Sequence, residues 1–261
     1  MERINDILVP FDFSPPSEQA LAYALDFVGS RPGKKITLCF MQEKEDLKAL
    51  EKQFADIRAG LSKAFRSELD WVHFSPPSVP GLIDKSRELH TDLILMGTSG
   101  SQDPEGTTHT SQTVLSTDCP VLVIPQGVPE EFRLKKIALV LGSNEIDDPK
   151  DLGTLLNFAR TFNAQVHVLT IQTTPGVYGY SREEEKNERL LEYYLEDFYA
   201  QHTFIESDDM VEGIFDYAQE KEMDLIAILP RNHVRNGKPS EGRLTRILTL
   251  QSRIPLLAIE H

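Results

Sequence analysis

The sequence is short of cysteine, of long apolar runs and of basic residues relative to acidic ones, and each shortage excludes something. Only two cysteines, Cys39 and Cys119, occur in 261 residues. Both sit in apolar, strand-like segments, so they read as buried thiols in a reducing compartment and not as a disulfide framework. No stretch reaches the ~18 consecutive apolar residues that span a bilayer. The opening MERINDILVPFDFS lacks the charged-then-apolar design of a secretory signal. These features lead us to expect a soluble, cytoplasmic protein. Lys and Arg number 27 against 41 Asp and Glu, a net charge of −14. Cut after Glu130, the first part holds 12 basic and 19 acidic residues and the second 15 and 22. Neither part is a basic module, and an acidic chain repels phosphate backbones and anionic headgroups, which argues against nucleic-acid and membrane partners. Of the seven histidines (73, 90, 109, 167, 202, 233 and 261), no two stand at i, i+4, and no Cys/His cluster exists, so no metal site is expected. What remains, 40% hydrophobic and 26% charged, is a globular composition.

Short apolar runs alternate with amphipathic stretches. In the first half the strand signals are Ile7–Val9, Ile36–Met41, Trp71–Phe74, Leu93–Met96 and Val121–Ile124. Helical spacing marks Ser17–Phe27, Lys44–Phe65, Gly81–Leu89 and His109–Ser116. Apolar strands separated by helices indicate a parallel sheet covered on both faces. The second half repeats the first. GLIDKSRELHTDLILMG from Gly81 and GIFDYAQEKEMDLIAIL from Gly213 share Gly, Asp, Glu, Asp, Leu and Ile at a constant offset of 132. The starts (DILVPFD from Asp6, KIALVLG from Lys136) and ends (CPVLVIP from Cys119, IPLLAIE from Ile254) match in the same order. A period this long means two whole domains. We place them at residues 1–127 and 133–261, each an α/β, doubly wound, Rossmann-like unit with a five-stranded parallel sheet. Right-handed crossovers then put any ligand at the carboxyl ends of the strands, at the switch point. The informative positions are Pro10–Ser14, Met41 and Gly97–Thr108.

Past the fourth strand runs M-G-T-S-G-S-Q-D-P-E-G-T-T-H-T. Glycines let a backbone approach an anion closely, and the following helix offers its positive end. The loop is neither a Walker A loop, a dinucleotide fingerprint nor a nucleophile elbow, because the spacings differ. Asp12, at the mouth of the central strand, suits a ribose hydroxyl, or equally a helix cap.

With these residues in view, the chain resembles a tandem universal stress protein. The resemblance is carried by ILVPFDFSPPSEQALAYAL, TDLILMGTSG and CPVLVIP and covers nearly the full length, once per half. It implies a strand order 3-2-1-4-5, an adenine nucleotide alpha hydrolase-like fold, and ATP binding through Gly-x2-Gly-x9-Gly-Ser/Thr, with Mg or Mn. Carried over, Asp12 takes the acidic position by the adenosine, Met41 the place where backbone meets adenine, and Gly97 and Gly100 the Gly-x2-Gly. Pro10 ends the central strand beside them, and Gly106, Thr107 and Thr108 close the loop. Here the sequence departs: Gly106 follows Gly100 after five residues, and Asp103 and Glu105 lie between. In the second half Gly142 replaces the acid, and Leu229-Pro-Arg-Asn232 replaces the glycines, so no ATP is expected there. The resemblance also implies that Val121–Ile124 and Pro255–Ile259 pair, as an intrachain pseudo-dimer able to dimerise further.

Two readings stay open: a regulatory protein that binds ATP in its first domain with little or no hydrolysis, and a nucleotide-free scaffold that captures a protein partner. No catalytic residue is assigned. Ser14 reads as a helix start with Pro at the first turn, and the Ser-Gly-Gly-x-Asp-Ser loop of a pyrophosphatase-loop enzyme is absent. His109 could touch a phosphate or cap a helix, and Trp71 reads as core or domain interface. Pro175–Glu185 reads as a connection before a solvated helix. The segment 230–246 concentrates Arg231, Arg235, Lys238, Arg243 and Arg246 against Glu241, as an anion or partner site or as a solvated loop.

Overall fold

A computed structural model describes residues 4–41, 47–101, 103, 106–129, 131–141, 151–172, 182–230 and 240–259. The first half runs β1 (Asp6–Phe11), α1 (Pro15–Val28), β2 (Lys35–Met41), α2 (Leu47–Ala59), β3 (Glu68–Phe74), α3 (Val79–Glu88), β4 (Leu93–Thr98), α4 (His109–Ser116) and β5 (Val121–Pro125). The second half repeats the order: β6 (Lys136–Leu141), α5 (Asp151–Phe162), β7 (Gln165–Gln172), α6 (Arg182–Leu195), β8 (Tyr199–Glu206), α7 (Met210–Glu220), β9 (Leu225–Ile228), α8 (Ser240–Gln251) and β10 (Leu256–Ala258). A 3-10 turn, Glu196–Phe198, joins α6 to β8.

All ten strands form one sheet, in the order β3-β2-β1-β4-β5-β10-β9-β6-β7-β8. Within each half the pairing is parallel and the order is 3-2-1-4-5. The halves meet at an antiparallel pair, the only one among the described residues, where Leu256, Leu257 and Ala258 of β10 face Val123, Leu122 and Val121 of β5. The inner strands are apolar on both faces because helices cover both. Ile7, Val9, Leu38, Leu95 and Leu257 face α1, α2, α5 and α6. Leu8, Cys39, Ile94, Val123 and Ile226 face α3, α4, α7 and α8. The core under the first helix set is continuous across the halves. Phe27 of α1 packs on Phe158 of α5 with ring centroids 5.1 Å apart, and Phe132 lies between Tyr23 and Phe162. The connecting chain is held to α1 by hydrogen bonds. Tyr23 donates its hydroxyl to the Pro129 carbonyl (2.6 Å), Gln19 donates to the Val128 carbonyl, and Asp26 accepts from the Phe132 N–H.

Several boundaries differ from the sequence reading: β3 begins at Glu68, α3 at Val79, and β4 runs on to Thr98. The helix expected over Lys44–Phe65 ends at Ala59. Gly60 breaks the spacing, and Leu61 and Phe65 continue in turns that still pack on the core. The first helix begins earlier, at Pro15, because Ser14 caps it and accepts from the Ser17 N–H. The segment 175–181 lies outside the described residues.

The same backbone carries different chemistry in the two halves. In the first, Phe40, Trp71 and Phe54 form an aromatic wedge on the β2 and β3 side. Strand register places Thr170 where Phe40 stands and His202 where Trp71 stands. There His202 Nδ1 lies 2.7 Å from Glu188 Oε2 and Nε2 lies 3.0 Å from Thr170 Oγ1, while Tyr199 donates to the other Glu188 oxygen. The polar atoms of this half-buried cluster partner one another, which is the condition for polar groups to be tolerated away from water.

Two outcomes follow. Leu257 is fully buried at the seam, so Leu257→Ala should destabilise the chain by about 2–5 kcal/mol. Urea unfolding followed by fluorescence and circular dichroism should shift as one transition; two separate transitions would mean that the halves fold independently. Burial pushes the Cys39 thiol up to about 12, whereas Cys119 is half-buried. A maleimide at neutral pH should therefore label Cys119 in the folded chain and reach Cys39 only after denaturation.

Candidate functional site

The switch point of the first half lies between β1 and β4. Their pairing is confined to Ile7 with Leu93 and Leu8 with Ile94, whereas β1 stays paired with β2 as far as Phe11. Pro10 has no N–H to give, so the two strands part, and the chain beyond them can turn across the gap. Asp12 stands exposed at this mouth. Its Oδ1 accepts from the Ser14 N–H at 3.0 Å and the Ser14 hydroxyl at 2.5 Å, and its own N–H donates to Ser17 Oγ at 3.4 Å. Partial burial alone would raise its pKa, but the bonds from Ser14 and Ser17 outweigh burial and hold the carboxyl below its ordinary range. Asp12 is therefore ionised at neutral pH. It is not the cap of α1; it positions Ser14, which is.

Between them sits Phe13 with φ +63°. A bulky residue in the left-handed region costs about 1–2 kcal/mol. The ring is held in place by stacking on Phe40 at 5.3 Å and 11°, with Phe11 edge-on at 5.0 Å. Sequence reasoning missed Phe13, because strain of this kind leaves no mark on composition or spacing.

The glycines of the loop have identifiable duties. A Cβ on Gly97 would lie 1.9 Å from the Pro16 carbonyl oxygen, so glycine here lets the first turn of α1 rest on β4. Gly100 has φ +71°, and a Cβ there would lie 2.7 Å from the Leu250 carbonyl oxygen, near the end of α8 in the second half. The Gly100 N–H donates to Thr98 Oγ1 and the Ser101 N–H to the Leu250 carbonyl at 2.9 Å. The loop thus caps one of the last carbonyls of α8. It also sits at that helix's partially negative end. The Gly106 N–H donates to the Asp103 carbonyl.

Beyond Gly106, Thr107 is exposed. Thr108 caps α4 in a reciprocal box: its hydroxyl accepts from the Ser111 N–H, and the Ser111 hydroxyl accepts from the Thr108 N–H. His109 is the first helical residue and is exposed, so the cap is Thr108 and not His109. Met41 ends β2, half-buried against the opposite face of the sheet from Phe40. All the sequence-derived site residues thus stand at the carboxyl ends of β1, β2 and β4. Leu250, 150 residues from Gly100, could not have been found locally.

In the second half Gly142 and residues 231–239, including Arg231, Arg235 and Lys238 of the basic segment, lie outside the described residues. Arg243 and Arg246 lie on α8. Trp71 packs on Phe40 and Phe54 within its own half. Among the described residues no group of three or more His, Cys, Asp or Glu is placed to hold a metal. None of their helices is long and apolar enough to cross a membrane.

Comparison with known proteins agrees with this fold. Residues 3–125 match the model of the universal stress protein family. Over its full length the chain is similar in fold to a universal stress protein from Archaeoglobus fulgidus DSM 4304, with 14% identity, 99% of each chain covered and a TM-score of 0.72. It is also similar to the cytoplasmic domain of a prokaryotic cation chloride cotransporter, with 12% identity, coverage of 98% and 95% and a TM-score of 0.58. A universal stress protein from Archaeoglobus fulgidus in complex with dAMP aligns with 49% of this chain and 98% of its own, at 17% identity and a TM-score of 0.34. At such identities the likeness is one of fold. No curated protein matches the sequence.

Substitution separates the roles of the glycines. Gly97→Ala forces the Pro16 carbonyl to move and should cost about 3 kcal/mol or more. Gly153→Ala, within α5 and with open space around it, should stabilise by about 0.5–1 kcal/mol. Urea midpoints of the two variants measure both effects; a neutral Gly97→Ala would show that α1 does not need this contact.

Proposed function

We propose that the chain is a regulatory protein of the tandem universal stress type, with domains at residues 1–127 and 133–261. Its first domain binds an adenine nucleotide, and its second does not. The observation that supports this most is Asp12, ionised and exposed where β1 leaves β4. A carboxylate there can accept hydrogen bonds from ribose hydroxyls, with adenine toward Pro10 and Met41.

The phosphates meet a modified loop. The N–H groups of Gly100, Ser101 and Gly106 already have partners, as do those of Thr108 and Ser111 in the capping box, so the anion has to be received by Thr107, the Thr108 hydroxyl and the N–H groups of His109 and Thr110, which precede the helical ladder. Asp103 is exposed close by, and a bound Mg or Mn ion would offset its repulsion of a triphosphate. ATP would act by ordering this loop and shifting partner affinity. Among the described residues the site supplies an acid, hydroxyls and glycines but no lysine or arginine to stabilise charge developing on a transferring phosphoryl group, which favours slow or absent hydrolysis.

The engaged loop also favours a second reading. With Gly100 and Ser101 tied to Thr98 and Leu250, the duplicated sheet can serve as a nucleotide-free scaffold that captures a protein partner. Calorimetry with ATP, ADP and AMP, each with Mg, separates the two. Nucleotide binding predicts saturation near one site per chain and a loss of roughly tenfold or more in affinity for Asp12→Asn, which keeps the size of the side chain but removes its charge. Absence of binding at millimolar nucleotide would leave the scaffold. Gly97 variants are unsuited to this test because they perturb the fold itself.

A further inference from the structure

The duplication supplies an internal control for a groove in the second half. Between α7 and α8 lies a continuous groove of about 990 Å³; the corresponding cleft beside α3 and α4 is divided at Arg87 into two smaller ones, of about 380 and 400 Å³. The two halves line them with matching positions. Ile83 of the first corresponds to Phe215 of the second, Asp84 to Asp216, Arg87 to Gln219 and Gln112 to Ile247. In the first half Arg87 donates to Asp118 at 2.6 Å, tying α3 to the chain that follows α4. In the second half these positions are Gln219 and Arg253, which cannot form that pair. The tie is absent, the groove runs undivided, and Phe215 and Ile247 make it more apolar.

Its rim is charged unevenly. Along α7 stand the exposed acids Glu212 and Asp216, followed by Glu222 past the helix end. Among the described residues none of these three takes part in an ion pair. Arg243 and Arg253 stand on the other wall. Among the described lining residues acids exceed bases, and the floor contains Met223 and Ile226, both buried.

We propose that this groove is a docking site for an amphipathic helix of a partner protein, apolar on the side it buries and rich in lysine or arginine on the flank that meets α7. A helix satisfies its own backbone, whereas an extended peptide laid over Phe215 and Ile247 would leave N–H and C=O groups without partners. The eleven residues of α7 span about 16 Å, room for anchors at i, i+3 or i+4, and i+7 of a facing helix. The acids on α7 supply the complementary charge. The site is independent of nucleotide binding in the first half, and it gives a chemistry to the partner that a scaffold would need.

The test uses the full chain and a fluorescein-labelled 16-residue synthetic peptide of Leu, Ala and Lys with Leu along one face, beside a twin carrying Glu for Lys. Fluorescence polarisation should show saturable binding of the Lys peptide only. Gln219→Arg with Arg253→Asp installs the ion pair of the first half and should weaken binding by about tenfold or more, although the chain becomes more negative. Asp216→Lys should weaken it about tenfold, and Asp84→Lys, the matching change in the first half, by less than twofold. Unchanged urea midpoints would show that the variants are folded. Absence of saturation, equal losses at Asp84 and Asp216, or no effect of the installed pair would each overturn the proposal.

Discussion

The antiparallel pairing of β5 with β10 is the contact on which the rest of the molecule depends. Two parallel sheets that met in parallel would point all their carboxyl ends the same way. Meeting antiparallel, they point the switch points of the two halves in opposite directions and bring the loop after β4 beside the end of α8. The same pairing covers two strand edges that would otherwise be exposed. The remaining edges are β3 and β8, and on β3 the exposed Glu68 and Asp70 pair with Lys35, charge that discourages another chain from adding there. Continuity of the core through Phe27, Phe132, Phe158 and Phe162 makes the seam part of the interior and not a contact between finished domains.

Within that frame the halves have diverged by substitution and not by rearrangement. The wedge of Phe40, Trp71 and Phe54 and the cluster of Thr170, His202 and Glu188 occupy corresponding places on the sheet. One fills space with aromatic surface; the other satisfies polar atoms mutually. The first half keeps an acid at its switch point, while the second has lost a tie between helices. Divergence has therefore altered local chemistry while strand order stayed constant.

Most of the fold was legible in the sequence because apolar runs and helical spacing report burial directly. The repeat at an offset of 132 announced the duplication, and Ser14-Pro15-Pro16 announced the start of α1. The end of α2 was misjudged because Leu61 and Phe65 keep their apolar character after Gly60 has stopped the helix. The site was legible only in outline. Asp12, the loop glycines and Thr108 could be placed at strand ends from the order of elements alone. That Gly97 accommodates Pro16, that Gly100 accommodates Leu250, and that Phe13 sits in a strained conformation are facts of tertiary contact. No motif encodes them. A glycine pattern read as a phosphate cradle is also what close helix–strand packing requires, and sequence does not distinguish the two.

The contact between Gly100 and Leu250 has a consequence for how such a molecule can evolve. In a homodimer built on the same seam, a change at either position would appear twice, once in each symmetric copy. Here the loop and the helix end that it caps belong to different halves of one chain, and each is encoded once. Leu250 can drift without a matching change behind Val114 or Leu115, and Gly100 can be retained without a glycine at Asn232. Covalent fusion has converted a symmetric interface into two independently mutable ones, so one half can keep an inherited task while the other takes on a different one.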